Sequence, residues 1–350
     1  MNKRIFKSQT LDSGDVPFYK IGTFGKKADA YISSELYEEY RNKYPYPKDG
    51  DLLISASGSI GKIVEYKGQK AYYQDSNIVW LDHDNRILNL FLKAFFQIVK
   101  WNGTEGSTIK RLYNKNILNT EIILPKIKEQ TAVGKLIEKV DYLITLQQRK
   151  LEQFKQLKKV MLQYLLTTEK KSAPLIRNKN YNNKWDTTTF SKLLNYERPE
   201  NYIVTNTNYR KNGIPVLTAN KSFILGYTNE SNVYNKGEAI IFDDFTLENK
   251  FVNFPFMIKS SAIKILTSKV NYSLYFIFQL LQHTKFIKEG HARHYISVVQ
   301  KQIVKIPPSY EEQESISDTF SRIQSLIKLQ QNKIDQHTTL KKYLLQKMFI

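Results

Sequence analysis

One long amphipathic helix is written into this chain twice. Leu124-Pro-Lys-Ile-Lys-Glu-Gln130, Leu146-Gln-Gln-Arg-Lys150 and Leu157-Lys-Lys159 return without a gap as Pro307-Pro-Ser-Tyr-Glu-Glu-Gln313, Leu329-Gln-Gln-Asn-Lys333 and Leu340-Lys-Lys342. Matches in this order, so far apart, imply two structural units rather than a solenoid. Heptads read from Val133 place Val133, Val140, Gln147, Phe154 and Met161 at a, and Leu136, Leu143, Lys150, Leu157 and Tyr164 at d. The second helix gives Ile316, Ile323, Gln330, His337 and Leu344, then Thr319, Leu326, Lys333, Leu340 and Lys347. Stripes of this length predict a coiled coil, and pseudo-two-fold symmetry suggests that the pair is antiparallel. Gln147 and Gln330 interrupt the stripes midway. If they meet near the crossing point they fix register at some cost in stability; otherwise the stripe simply opens to solvent there.

The segments between the helices are β-rich. Asp51-Leu-Leu-Ile-Ser55, Lys62-Ile-Val-Glu-Tyr66 and Asn77-Ile-Val-Trp-Leu81 read as short strands divided by turns, with one helix over residues 89–99. The second half repeats the plan with strands at 214–218, 238–242 and 262–266 and a helix at 272–282. The expected fold is α+β: two β-rich domains, residues 1–123 and 185–306, separated by two long helices, 124–167 and 307–350, with a linker over 168–184. One element lacks a counterpart. The second domain opens with Lys184-Trp-Asp-Thr-Thr-Thr-Phe-Ser-Lys-Leu-Leu194 before Tyr202 takes up the alignment with Arg4. The first domain is therefore expected to be short by one element, either because the start lies upstream or because another segment completes it.

Charge narrows the function. Fifty-three Lys and Arg against 33 Asp and Glu give a net charge of +20, a field that attracts polyanions and is costly in self-repulsion until a partner neutralises it. Double-stranded DNA is the expected partner. The absence of cysteine excludes disulfides and thiolate chemistry, and no apolar run long enough to span a membrane is seen, so the cytoplasm is the expected location and no membrane partner is expected.

Several motifs suggest chemistry and fall short of it. Ala56-Ser-Gly-Ser-Ile-Gly-Lys62 approaches a phosphate-binding loop, but Ala56 replaces the first glycine, Ile63 replaces the magnesium-binding hydroxyl, and a strand follows where a helix is needed. Asn253-Phe-Pro-Phe256 approaches an amino-methyltransferase tetrapeptide without an accompanying Gly-rich cofactor loop. Asp244 with Glu248-Asn-Lys250 loosely fits a magnesium nuclease. The five histidines, His83, His283, His291, His294 and His337, have no metal spacing, so no metal site and no catalytic residue is assigned. A stand-alone site-specific DNA nuclease or methyltransferase is the rival reading; such a chain would cut or methylate unaided.

Two loops occupy equivalent places in the halves. Gly106-Ser-Thr-Ile-Lys-Arg111 and Gly290-His-Ala-Arg-His-Tyr295 each combine hydrogen-bond donors with cations. Arginine reads guanine bidentately, Ser and Thr read either partner, and Lys anchors phosphate. The alternative is a solvated basic loop. By position and chemistry the DNA-contact candidates are Lys26, Lys27, Ser107, Thr108, Lys110, Arg111, Thr218, Asn220, Lys221, His291, Arg293 and His294.

With these residues in view the chain resembles the specificity subunit of type I restriction–modification systems. The resemblance rests on the duplicated Pro-x-x-x-Glu-Gln helix start, each copy preceded by a domain with Gly50-Asp-Leu-Leu-Ile-Ser-Ala-Ser-Gly-Ser-Ile-Gly61 or its divergent equivalent Gly237-Glu-Ala-Ile-Ile-Phe242. It implies two target recognition domains that each read half of a split DNA sequence. It also implies a subunit without catalysis or cofactor of its own. Two modification subunits would bring S-adenosylmethionine and methylate adenine, and through them two restriction subunits would bring ATP and magnesium.

Overall fold

A computed structural model describes residues 2–101, 111–167, 171–219, 222–287 and 293–349. The chain divides into two compact units, unit 1 comprising Met1–Gln148 with Asn332–Ile350 and unit 2 comprising Arg149–Gln331. Each long helix contributes to both.

Unit 1 runs β1 (Val16–Tyr19), β2 (Tyr31–Ile32), α1 (Ser34–Lys43), β3 (Leu52–Ser55), β4 (Ile63–Glu65), β5 (Tyr72–Tyr73), β6 (Ile78–Trp80), α2 (Asn89–Phe95), α3 (Asn114–Leu118) and the first part of α4 (Ile127–Leu165). Its two sheets have the orders β2-β1-β5, with β1 parallel to β5, and β4-β3-β6, antiparallel throughout. All four residues of β3 are buried, which is why Leu52-Leu-Ile is a continuous apolar run rather than an alternating one. The helix α1 is absent from the sequence expectation although its caps are legible. Ser33 accepts from Leu36 N at 3.2 Å, Glu35 lies in the first turn, and Arg41 and Lys43 lie in the last. Its inward face is a short stripe of Leu36, Tyr37 and Tyr40, of which only Tyr37 is fully buried, so the periodic signal is brief.

Unit 2 contains β7 (Asp186–Thr189), α5 (Phe190–Leu193), β8 (Leu194–Glu197), β9 (Ile214–Leu217), β10 (Ile224–Thr228), β11 (Ala239–Asp243), β12 (Asn249–Val252), β13 (Met257–Ile258), β14 (Ile263–Ser268), α6 (Leu274–His283) and β15 (Ile303–Ile306), followed by α7 (Tyr310–Met348). The order β10-β9-β13 repeats β2-β1-β5, including the parallel pair. The order β12-β11-β14-β8 repeats β4-β3-β6 with one strand added, and β15 pairs with β7 in a further sheet.

Both long helices contain 39 residues, about 58 Å at 1.5 Å of rise per residue. Within unit 1, Ile137 shares a cluster with Leu345 and Ala94, and Asp141 pairs with Lys341. Within unit 2, Lys158 donates to Gln324 at 2.9 Å, and Leu166 clusters with Ile316 and Phe320. In each unit rising numbers on α4 meet falling numbers on α7, so the helices run antiparallel. Gln147 is half-buried and Gln330 is buried, the one belonging to unit 1 and the other to unit 2.

The repeated Glu-Gln pair has a packing explanation. Gln130 Oε1 accepts from Leu88 N at 2.9 Å, and its amide donates to Pro125 O and Arg86 O. Gln313 does the same in unit 2, accepting from Ser273 N at 3.0 Å and donating to Pro307 O at 3.1 Å. Leu88 and Ser273 are the N-caps of α2 and α6, so one buried side chain ties each long helix to an N–H that its own short helix leaves without an intrahelical partner. One turn further on the helices come close. A Cβ on Gly134 would stand 2.9 Å from the backbone carbon of Leu90, whereas Ser317 in the equivalent place meets the Ser273 hydroxyl at 2.9 Å.

Candidate nucleic-acid interface

The central strand of each unit ends in the same backbone frame. In unit 1 the chain leaving β1 is held by Gln74, whose N–H donates to Tyr19 O and whose side chain accepts from Ile21 N, each at 2.9 Å. The turn before β6 bonds the end of β3, Ala56 N to Asn77 O at 2.7 Å and Ser57 Oγ to Asn77 Oδ1 at 2.7 Å. The returning chain closes the frame through Leu112 N to Ala56 O at 2.8 Å and a bridge between Ser57 and Arg111. Unit 2 repeats this with Lys259 N to Leu217 O, Asp244 N to Ala262 O and His294 N to Asp244 O, at 3.1, 3.0 and 2.9 Å. The β1 and β9 exits, the turns before β6 and β14, and the ends of β3 and β11 therefore converge in each unit.

Cations stand on this end. Lys26 and Lys27 are exposed in the loop after β1, and Arg111 is exposed beside Ser57. Lys62 donates to Phe24 O at 2.5 Å, joining the β3–β4 turn to that loop. The turn needs glycine, since Gly58 and Gly61 have φ of +65° and +77°, and a Cβ on Gly61 would lie 2.5 Å from the Trp101 indole nitrogen. The glycines of the near-phosphate-loop motif thus serve a hairpin against an aromatic ring, and β4 follows instead of a helix. In unit 2, Arg293 and Lys259 are exposed.

His294 departs from the expectation of a DNA contact. It is fully buried, and its Nδ1 lies 3.1 Å from Asp244 O. Asp244 is committed as well: Oδ1 accepts from Tyr295 N at 2.8 Å, and Oδ2 lies 3.7 Å from Lys264 Nζ, both side chains being 4% exposed. This buried lock fixes the chain next to Arg293 and removes Asp244 from any acidic pair with Glu248. Thr218 is also mostly buried, its N–H bound to Phe223 O at 3.0 Å, so its hydroxyl is a poor reader of bases. Phe256 of the tetrapeptide stacks on Tyr234 at 4.8 Å and Phe254 meets Phe223 edge-on, which are core roles. Ser107, Thr108, Lys110, Asn220, Lys221 and His291 lie outside the described residues.

Among the described residues no group of three or more His, Asp or Glu side chains is placed to hold a metal ion. A cleft of unit 2, about 700 Å³, is lined by Glu197, Lys236, Thr267 and Ser268 at the opposite end of β14 from the frame, and it belongs to a different face. Lys62, Trp101 and Lys259 also stand at this end of the units and are not among the sequence-based candidates. The first lies inside the motif that approaches a phosphate-binding loop and falls short of it, and the others flank turns whose partners are distant in sequence.

The type I restriction modification DNA specificity domain matches this chain twice, over residues 1–156 and 174–337. The chain belongs to that family. A putative type I restriction enzyme specificity subunit of Haemophilus influenzae is 56% identical over 144 residues, 41% of this chain and 37% of the relative. A type I restriction enzyme specificity subunit of Escherichia coli is 39% identical over 136 residues, 36% of this chain and 33% of the relative. The matches thus span about a third of the length of these curated relatives. The crystal structure of a type I restriction–modification S subunit from M. genitalium superposes with a TM-score of 0.65 at 12% identity, covering 100% of this chain and 92% of that one, a likeness of fold. The two matched segments each contain one copy of the strand-end frame, so the family's domain and the observed internal repeat coincide.

Proposed function

We propose that this chain is the sequence-specific DNA-binding subunit of a type I restriction–modification complex, each unit reading one half of a bipartite double-stranded target. The observation that carries this is the duplicated frame: the same strand ends, in two units of one topology, each present an exposed arginine, Arg111 or Arg293, on a chain of net charge +20. Arginine held by a rigid strand end can read a base edge, while Lys26, Lys27, Lys62 and Lys259 anchor phosphates. The chain itself carries no catalysis in this reading. Two modification subunits supply S-adenosylmethionine, and two restriction subunits supply ATP and magnesium in the bacterial cytoplasm. Gln147 and Gln330 set the register of the helix pair. No helix among the described residues is long and apolar enough to cross a membrane.

Methylated-motif sequencing of cells carrying the chain with its modification subunits tests this. Arg111→Ala and Arg293→Ala should each relax preference in a different half of the motif, costing about 1–3 kcal/mol at the affected base. Binding should weaken by orders of magnitude between about 50 and 200 mM salt as released counterions cease to favour the complex. Unchanged motifs in both variants, or methylation or cleavage by the purified chain alone, would overturn the assignment.

A further inference from the structure

The strand-end frames of the two units share their main-chain bonds and differ in the side chain set beside the arginine. Leu112 N donates to Ala56 O in unit 1 and His294 N donates to Asp244 O in unit 2, so Ala56 corresponds to Asp244, Ser57 to Phe245 and Arg111 to Arg293. Ser57 bridges Arg111, and the same register makes Phe245 the neighbour of Arg293. Ser57 is 7% exposed and its hydroxyl is bound to Asn77. Phe245 is 42% exposed.

The main chain on both sides of Phe245 is fixed. The buried Asp243 carboxylate accepts through Oδ1 from Phe245 N at 3.0 Å and from Thr246 N at 2.9 Å, and Asp243 O accepts from Leu247 N at 2.9 Å. Asp244, the preceding residue, is held in the buried lock with Tyr295 N. Leu247 closes the turn with a φ of +65°, a left-handed conformation that is costly for a leucine, and its side chain packs against the main apolar cluster of the unit. The turn is thus anchored inward at Leu247, while an exposed phenyl ring stands on it beside Arg293. A ring carried on a fixed backbone loses little conformational freedom when it meets a partner.

Phenylalanine offers no hydrogen bond. Against most base edges it would strip water from donors and acceptors without replacing it, whereas the thymine C5-methyl group is an apolar feature of the major groove. Cross-strand neighbours lie about 4.5–5.5 Å apart and bases of one strand are stacked about 3.4 Å apart, so Phe245 and Arg293 reach the same or adjoining base pairs. A pair whose guanine is read by the arginine contains no thymine, which leaves the adjoining one. On the reading that this end of unit 2 meets DNA, we propose that Phe245 is a specificity residue that contacts the C5-methyl group of a thymine next to the base pair read by Arg293. Unit 1, with Ser57 in this place, lacks the contact, so one backbone frame reads its two half-sites by different chemistry.

Deoxyuridine differs from thymidine only in lacking that methyl group, and it provides the test. The chain in complex with its modification subunits is measured by competition gel shift on duplexes carrying its methylated motif. Each thymine of the half whose preference depends on Arg293, and of its complementary strand, is replaced in turn by deoxyuridine. At one position the wild-type complex should bind about fourfold more weakly, the effect of one methyl group no longer buried. Phe245→Ala should bind the thymidine and deoxyuridine duplexes equally at that position, and Phe245→Leu, which keeps an apolar side chain, should remain sensitive to the methyl group. A wild-type complex insensitive to every replacement would overturn the proposal, including the case in which Phe245→Ala weakens all duplexes alike, as a ring wedged between bases would. A methyl effect that survives in Phe245→Ala would also overturn it. In each of these outcomes preference for the motif persists and DNA recognition stands; a wild-type complex with no preference for the motif would overturn that reading and this proposal together.

Discussion

Glu129 and Glu312 occupy one position in two copies of the same helix start, yet the first stands in solvent and the second is buried beneath an arginine and a tryptophan. The difference arises outside the helices. Unit 2 packs Trp185, Phe190, Leu193 and Leu194 into its main cluster with Phe276 and Phe320, so its helix start is roofed by an added β7–α5–β8 layer. Unit 1 builds its sheet base from tyrosines: Tyr46 meets Tyr37 and Tyr66 edge-on, each at 5.8 Å, and burial raises the pKa of the Tyr72 and Tyr73 hydroxyls. Identical helix signals can therefore serve different degrees of closure, depending on which non-helical segments are present.

The widest expected contrast is at these two glutamates. Glu312→Ala leaves Arg177 and the Trp185 indole without their acceptor and should destabilise unit 2 by about 3–5 kcal/mol, whereas Glu129→Ala should stay within about 0.5 kcal/mol. Hydrogen exchange resolved by segment under increasing denaturant measures both. Equal losses would break the comparison.

A smaller and symmetric effect is expected at the glutamine clamps. Gln130→Ala and Gln313→Ala should each cost about 1–3 kcal/mol, because each orphans a helix N-cap N–H in a buried setting. Denaturation midpoints at constant slope would show it; a large loss from only one of them would mean that the clamps are equivalent in geometry but not in load.

The close approach of the helices should separate the units again. Gly134→Ala gains helix propensity but drives a methyl into the Leu90 backbone, for a net loss of about 1 kcal/mol, while Ser317→Ala forfeits one hydroxyl contact at about 0.5–1 kcal/mol. A stabilised Gly134→Ala would show that α2 can shift without cost.

The smallest effect is electrostatic. Burial pushes the Glu197 carboxyl up, but hydrogen bonds from Lys236 and Tyr202 outweigh it and hold the pKa below the ordinary 4.5. A depressed folded-state value means stability that is present above the unfolded pKa and lost as pH falls through the folded one. The pair is partly solvated, so less than about 1 kcal/mol should disappear in unit 2 below about pH 4.5, and Glu197→Gln should abolish that slope.

Much of this architecture was legible because it is periodic or duplicated. The stripes through Val133 and Ile316 gave both long helices to within a few residues, and Leu52-Leu-Ile and Ala239-Ile-Ile gave the two central strands. That the stretch from Lys184 to Leu194 has no counterpart in the first half was visible by comparing the halves. What escaped depends on pairings distant in sequence. Strands β5 and β13 are two residues long and exist through parallel pairing with β1 and β9. At the interface, His294 looked like a donor in a basic loop, and only the tertiary position of Asp244 reveals that it faces inward. Arg111, Arg293, Lys26 and Lys27 were named by chemistry and stand exposed near the strand ends, whereas Lys62 and Lys259 needed the fold to place them there.

The glutamine clamps address almost nothing but main chain. Gln130 grips the N–H of Leu88 and the carbonyls of Arg86 and Pro125; Gln313 grips the N–H of Ser273 and the carbonyl of Pro307. A coupling made through peptide groups is indifferent to the side chains carried by the joined domain. Its demands are a backbone of the right course and a small residue near Gly134 or Ser317. The helix pair therefore works as a standard socket, and a recognition domain of foreign sequence that keeps the entry path could be exchanged by recombination without refitting the joint.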